Sequence, residues 1–255
     1  MNTVPDRIKL DHKTAVVLHH YNYQDNSLIV NFFVQELGKL SAVARGVKNS
    51  KKSRYALLQP FQKLIISLSG KGDLLTLTQV EALPQGDSEK WNLKGKSLYC
   101  AYYINELLLN FLPSHTDCSA IFNLYHEVLK LLSSDIDDSA QDNFHYEIPL
   151  RLFELKLLEF LGYGLNLTVD QSSGEKISAD RQYYYQLDVG PSLQQNTRTQ
   201  ALLISGQTLL NMAQSHFNDL KTLHESKQLL KWAISQHLDK PLKSRELFKQ
   251  LYANK

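Results

Sequence analysis

Leu28-Ile29-Val30-Asn31-Phe32-Phe33-Val34 is a short apolar run rich in β-branched and aromatic side chains, bounded by polar turn residues, and it reads as a buried strand. Similar runs stand on either side at Ala15-Val16-Val17-Leu18 and Leu64-Ile65-Ile66-Ser67-Leu68. The breaks Gln24-Asp25-Asn26, Glu36-Leu37-Gly38-Lys39 and Gly70-Lys71-Gly72-Asp73 have turn chemistry. The pattern predicts five strands, near 13–20, 27–35, 39–47, 60–69 and 74–82. Five antiparallel strands in about 70 residues can close into a small Greek-key barrel of the OB type, which removes the edges an open sheet would expose.

Beyond Pro84 the apolar period changes to three and four. Lys96 to Leu112 places Tyr99 or Cys100, Tyr103 or Ile104, Leu107, Leu108 and Phe111 at three- and four-residue spacing, and Pro113 stops it. Asp117 to Leu132 reads as a second helix. Pro149 is expected in the first turn of a third, which runs to Leu161 with Gly162 as its cap. Residues 163–200 lose periodicity except for Tyr183-Tyr184-Tyr185, a short strand. Helices resume at Ser205 to Gln214, Asp219 to His237 and Ser244 to Leu251. The expectation is an α+β chain with an OB-fold barrel over 1–83 and a helical domain over 84–255 that carries a loop-rich insertion at about 163–200.

Composition excludes several classes. Of 255 residues, 43% are hydrophobic, 21% are charged and only 18 are Gly or Pro, so a globular chain is expected rather than a disordered or fibrous one. No apolar run approaches the ~20 residues of a membrane span. Met1 to Asp11 has no apolar h-region, which points to the cytoplasm. Cys100 and Cys118 suffice for neither a disulfide framework nor a four-thiolate zinc site. Gly95-Lys96-Ser97 lacks the upstream glycine of a phosphate loop, Lys90 standing in its place. There is no G-x-S-x-G or G-x-G-x-x-G, and Gly162-Tyr163-Gly164 follows a helix rather than a strand. His19 and His20, adjacent on a strand, are expected on opposite faces, and His115, His126 and His145 have no partners at ligand spacing. Asp135, Asp137 and Asp138 read as a solvated turn, not as the metal cradle of a nuclease. No enzyme, metal or cofactor is expected.

The net charge of +2 hides a strong asymmetry. Residues 39–72 hold eight basic and no acidic residues, 73–220 carry a net −10, and 221–255 carry +5. Such a basic run points to a polyanion. Lys39, Arg45, Lys48, Lys51, Lys52 and Arg54 are the expected phosphate contacts, with Tyr55 as an aromatic able to stack on a base. Lys240, Lys243 and Arg245 form a second basic candidate. An RNA-binding OB barrel would join the same ingredients and is the alternative reading.

The order of several segments resembles one family. Ala15-Val16-Val17-Leu18, Tyr23-Gln24-Asp25-Asn26-Ser27-Leu28, Gly38-Lys39-Leu40, Ala44-Arg45-Gly46-Val47-Lys48 and Leu58-Gln59-Pro60-Phe61 resemble the N-terminal domain of the RecO recombination-repair family. Tyr103 to Leu108, Phe153 to Leu158 with Leu161-Gly162-Tyr163-Gly164, and Lys240 to Phe248 resemble its later segments in the same order. The resemblance implies a non-enzymatic DNA repair mediator that binds single- and double-stranded DNA and anneals complementary strands. It further implies contact with the single-stranded-DNA-binding protein and with RecR, help in loading RecA, and a nucleoid-associated cytoplasmic location. Arg151 and Lys156 are the candidate cations for the acidic C-terminal tail of the coating protein. Many family members place four zinc-binding cysteines after the Leu-Gly-Tyr motif. Residues 163–200 here contain none, so hydrogen bonds and packing around Tyr183 to Tyr185 are expected to hold that segment without zinc.

Overall fold

The computed structural model describes residues 7–47, 53–84, 91–133, 144–195 and 198–252. Strands β1 (Ile8–Tyr23), β2 (Ser27–Val34), β3 (Gly38–Ala44), β4 (Lys63–Gly70) and β5 (Leu74–Ala82) close into a barrel in the order β1-β2-β3-β5-β4. β3 and β5 run parallel, and the other pairs are antiparallel. All five expected strands are present. β1 is longer than expected because it pairs with both β2 and β4. Alternate side chains, among them Val17, Val30, Phe32, Ala42, Ile66 and Leu75, fill the barrel. Between β3 and β4 lies α1 (Ser53–Leu57), a helix too short to leave a periodic trace in the sequence.

Two helices follow, α2 (Gly95–Phe111) and α3 (Ser119–Leu132), and they are tied to the barrel at a β-bulge. β1 pairs Val17 with Phe32 and His19 with Asn31, so Leu18 between them has no partner on β2. Asn105 Nδ2 on α2 donates to the Leu18 carbonyl at 2.9 Å, and the Tyr125 hydroxyl on α3 donates to Asn105 Oδ1 at 2.8 Å. All three residues are buried. Burial pushes the Tyr125 phenol well above its ordinary pKa despite the opposing bond to Asn105, which keeps it a neutral donor. A second tie joins the β2–β3 turn to the α2–α3 connection. Lys39 N donates to Pro113 O at 3.0 Å, His115 N to Leu37 O at 2.8 Å and Cys118 N to Gln35 O at 3.2 Å. Gly38 sits at φ +68, and a Cβ there would stand 2.1 Å from Pro113 O, so no larger residue fits.

The remaining elements are α4 (Phe144–Phe160), β6 (Gln182–Gln186), β7 (Gly190–Ser192), β8 (Leu202–Ser205), α5 (Gly206–Ala213), α6 (Leu220–Gln236) and α7 (Lys243–Tyr252). The chain divides into two compact units, one comprising Met1–Asp135 with Ser244–Lys255 and the other Ile136–Lys243. α7 thus belongs with the barrel. Ser244 N and Oγ both donate to the Glu106 carboxylate, at 2.9 and 2.5 Å, and Arg245 Nη2 donates to the Tyr103 hydroxyl at 2.6 Å.

In the other unit α4 and α5 pack on α6, and a three-stranded antiparallel sheet is ordered β7-β6-β8. The third helix differs from expectation: Pro149 is its sixth residue, not part of its first turn. Proline there forgoes one bond, to the His145 carbonyl, and the helix continues through it. Residues 163–195 are more ordered than their composition predicts. Asp170, 1% exposed, accepts from Ser172 N at 2.9 Å, Ser172 Oγ at 2.8 Å and Ser173 Oγ at 2.9 Å. Ser178 N donates to the Tyr183 hydroxyl at 2.9 Å, and Tyr183 and Tyr185 are both buried. Burial opposes ionisation of Asp170, but these bonds together hold its carboxyl below the usual carboxylate range.

Two stability outcomes follow from these bonds. Asn105→Ala leaves the Leu18 carbonyl and the Tyr125 hydroxyl without their partner, so denaturant melts are expected to show a loss of about 1–3 kcal/mol; an unchanged midpoint refutes the role of the bridge. Asp170 is ionised in the native state, so its contribution is complete above the unfolded value of about 3.9 and is lost as pH falls through its lower native value. Asp170→Asn therefore lowers stability at pH 7 and flattens the acid limb of the stability curve, as measured by thermal melts between about pH 2 and 7.

Candidate nucleic-acid interface

The basic connection leaves the barrel at the end of β3. Arg45 is exposed in the turn at 45–47 and, among the described residues, makes no ion pair. Gly46 supplies φ +69 in that turn, and Val47 N donates to Asn26 O at 3.0 Å, which ties the turn to the one between β1 and β2. Lys48, Lys51 and Lys52 lie outside the described residues. Arg54 is half-buried on α1 and, with Leu57, lines a groove against Gln79, Val80 and Glu81 of β5. Tyr55 is 41% exposed, which places it on the surface rather than in the core. Its ring meets His20 edge-on at 6.0 Å, and His20 Nδ1 lies 3.0 Å from Leu58 O.

Lys39 stands apart from this group. It opens β3 while Arg45 follows the strand's end, a separation of about 20 Å at the rise of an extended chain. Its ammonium is half-buried and donates to the Leu109 carbonyl at 2.7 Å, near the C-terminus of α2, where a cation is favoured. Burial lowers its pKa. The structure thus places the Lys39 ammonium at the barrel–helix junction, apart from the exposed Arg45. Lys240 and Lys243 are exposed, but the Arg245 guanidinium lies 5.0 Å over the Tyr103 ring and holds α7 in place.

On α4, Arg151 is buried rather than presented at a surface. Its Nε lies 2.9 Å from Glu154 Oε2 and its Nη2 3.0 Å from Oε1, so its charge is answered within the helix. Lys156 is 42% exposed and pairs with Glu159 at 2.8 Å. Of the two candidate cations for an acidic tail, only Lys156 is at the surface.

Beyond the bulge at Leu18, His19 pairs with Asn31 and His20 with the barrel-filling Val30, so the two histidines start toward opposite faces, with ring centroids 6.2 Å apart. Among the described residues no group of three or more His, Cys, Asp or Glu side chains is gathered in a form able to hold a metal ion, and no helix is long and apolar enough to cross a membrane. The charge count passed over three side chains of β1: His19, Tyr21 and Tyr23. Tyr21 is 50% exposed and Tyr23 36%, and the His19 ring meets Tyr21 edge-on at 4.5 Å. Their period-two spacing was the signal available in the sequence.

Family comparison divides the chain near the end of the barrel. The model described as Recombination protein O N terminal matches residues 9–85, and that described as Recombination protein O C terminal matches residues 93–246. A protein named DNA repair protein RecO from Methylococcus capsulatus is 37% identical over 246 residues, 96% of this chain and 95% of its own length. Its namesake from Nitrosococcus oceani is 39% identical over 242 residues, covering 93% and 92%. That from Pseudoalteromonas atlantica is 40% identical over 237 residues, covering 92% and 93%.

The different placements of Lys39 and Arg45 make them separable. Arg45→Gln is expected to weaken oligonucleotide binding about fivefold near 0.1 M salt with an unchanged melting temperature. Lys39→Gln is expected to lower the melting temperature and leave binding nearly intact. Parallel thermal melts and anisotropy titrations check both, and the reverse pattern contradicts the assignment.

Proposed function

Because the chain belongs to the RecO family of DNA repair proteins, with a role in DNA repair and recombination, we propose that it is a non-enzymatic mediator that binds single- and double-stranded DNA and anneals complementary strands. The observation that carries this reading is the run of eight basic and no acidic residues over 39–72, of which Arg45 is exposed just beyond the barrel wall. Annealing requires two polyanions to approach one another while their bases stay available for pairing. Lysine and arginine on a connection between strands neutralise phosphate without gripping base edges. Arg45, Lys48, Lys51, Lys52 and Arg54 are the proposed contacts, with Tyr55 stacking beside them.

Family membership also supports the proposed partners: the single-stranded-DNA-binding protein through its acidic tail, RecR, and RecA, whose loading it assists. The segment 73–220 is net acidic, so apolar burial must supply most of the affinity for an acidic tail, with exposed cations such as Lys156 fixing its carboxylates. Lys156→Glu should weaken a tail peptide and spare oligonucleotide binding.

The test of the central reading is annealing of complementary oligonucleotides, with and without their coating protein, beside a salt titration of single-strand affinity. Five phosphate contacts predict a slope of log affinity on log salt near −3.5, from about −0.7 per contact. Replacing the five with Gln should flatten the slope and abolish annealing. An unchanged slope would falsify this placement of DNA, and preferential binding of an equal-length RNA strand favours the RNA-binding alternative.

A further inference from the structure

Past the Leu18 bulge, β1 presents His19, Tyr21 and Tyr23 at every second position, so the three side chains leave one face of the sheet. That face is the outer one. Their cross-strand partners are Asn31, Ile29 and Ser27, which alternate with the barrel-filling Leu28, Val30 and Phe32. The same outer surface is closed at its other end, where Phe33, paired with Val16, packs against Phe122 at 5.0 Å and Tyr125 at 6.1 Å. At the open end Tyr21 and Tyr23 are the two exposed rings, about 6.6 Å apart along the strand. Arg45 stands at this end, since its turn is bonded to Asn26 just beyond Tyr23.

We propose that Tyr21 and Tyr23 form a base-stacking track for unpaired nucleotides, and that this track makes the protein hold single strands more tightly than the duplex formed from them. The inference rests on the DNA-binding reading above and adds what distinguishes reactant from product. An unpaired base offers its π-face to a tyrosine, whereas a paired base has both faces covered by its neighbours in the helix. Annealing therefore strips away the stacking and leaves the phosphate contacts, which both forms offer. His19 buttresses the track, its ring against the edge of Tyr21 at 4.5 Å. The step is non-covalent: base pairing drives the strands together, and the weaker hold on the duplex favours its release.

The test uses the full chain with Tyr21 and Tyr23 both changed to Ala, or both to Phe, and three fluorescent probes of about 20 nucleotides: a thymidine strand, an abasic strand and a duplex. The Ala pair is expected to lose at least about 30-fold in affinity for the thymidine strand. Its salt slope and its affinity for the abasic strand and the duplex should stay at parental values, and the Phe pair should bind like the parent because the ring is kept. The track is refuted if the Ala pair binds the thymidine strand as the parent does while the salt-dependent binding persists; the phosphate reading then stands alone. Equal losses on all three probes also refute it, because they mark general damage rather than lost stacking. If the parent binds no probe, the DNA-binding reading falls and the track with it.

Discussion

One buried carbonyl organises the unit that contains the barrel. The bulge leaves Leu18 outside the β1–β2 ladder, and a buried carbonyl without a donor would cost free energy comparable to a lost hydrogen bond. Asn105 supplies the donor and Tyr125 satisfies the amide in turn, so one strand irregularity is matched by two helices in a chain of bonds at 2.9 and 2.8 Å. The bonds between the β2–β3 turn and the α2–α3 connection fix the same helices at a second point. Together they decide which outer part of the barrel is covered by protein and which is left to solvent.

That division explains why cations close in sequence take different roles. Lys39 lies where β3 meets the helices and is committed to the Leu109 carbonyl, while Arg45 lies beyond the strand's other end, beside the exposed rings of β1. A strand carries neighbours apart at about 3.3 Å per residue, so six residues cross the barrel wall. Charge counted along the chain points to a polyanion, and strand geometry separates the cations that stand exposed from those engaged within the fold. The proposed division of labour, phosphates held by cations and unpaired bases by flat rings, follows from that selection.

Much of this was legible in the sequence because period two is a direct consequence of strand geometry. The strands expected near 27–35 and 74–82 fell within a residue of the observed Ser27–Val34 and Leu74–Ala82. α1 was not legible, since five residues do not complete two turns. β7 and β8 were missed because three- and four-residue strands carry almost no alternation, and their neighbour β6 was found through its three tyrosines. Pro149 was read by its preference for first turns, a preference that the packing of α4 overrides. In the candidate interface Arg45 stands exposed as the charge run implied, whereas the exposure of Tyr55, a residue equally compatible with the core from sequence alone, is settled by the structure. The roles of Lys39 and Arg151 depend on partners that only tertiary structure supplies: one carbonyl 70 residues away for the first, and burial of an ion pair for the second.

Hydrogen–deuterium exchange of the full chain, with and without a single-stranded oligonucleotide, tests the central claim most directly because it locates the bound strand without altering any side chain. The account predicts slowed exchange in the second half of β1 and in the connection from Arg45 to Tyr55, with α4 and α6 unchanged. Slowed exchange confined to α4 and α6, with the barrel unaffected, would contradict it.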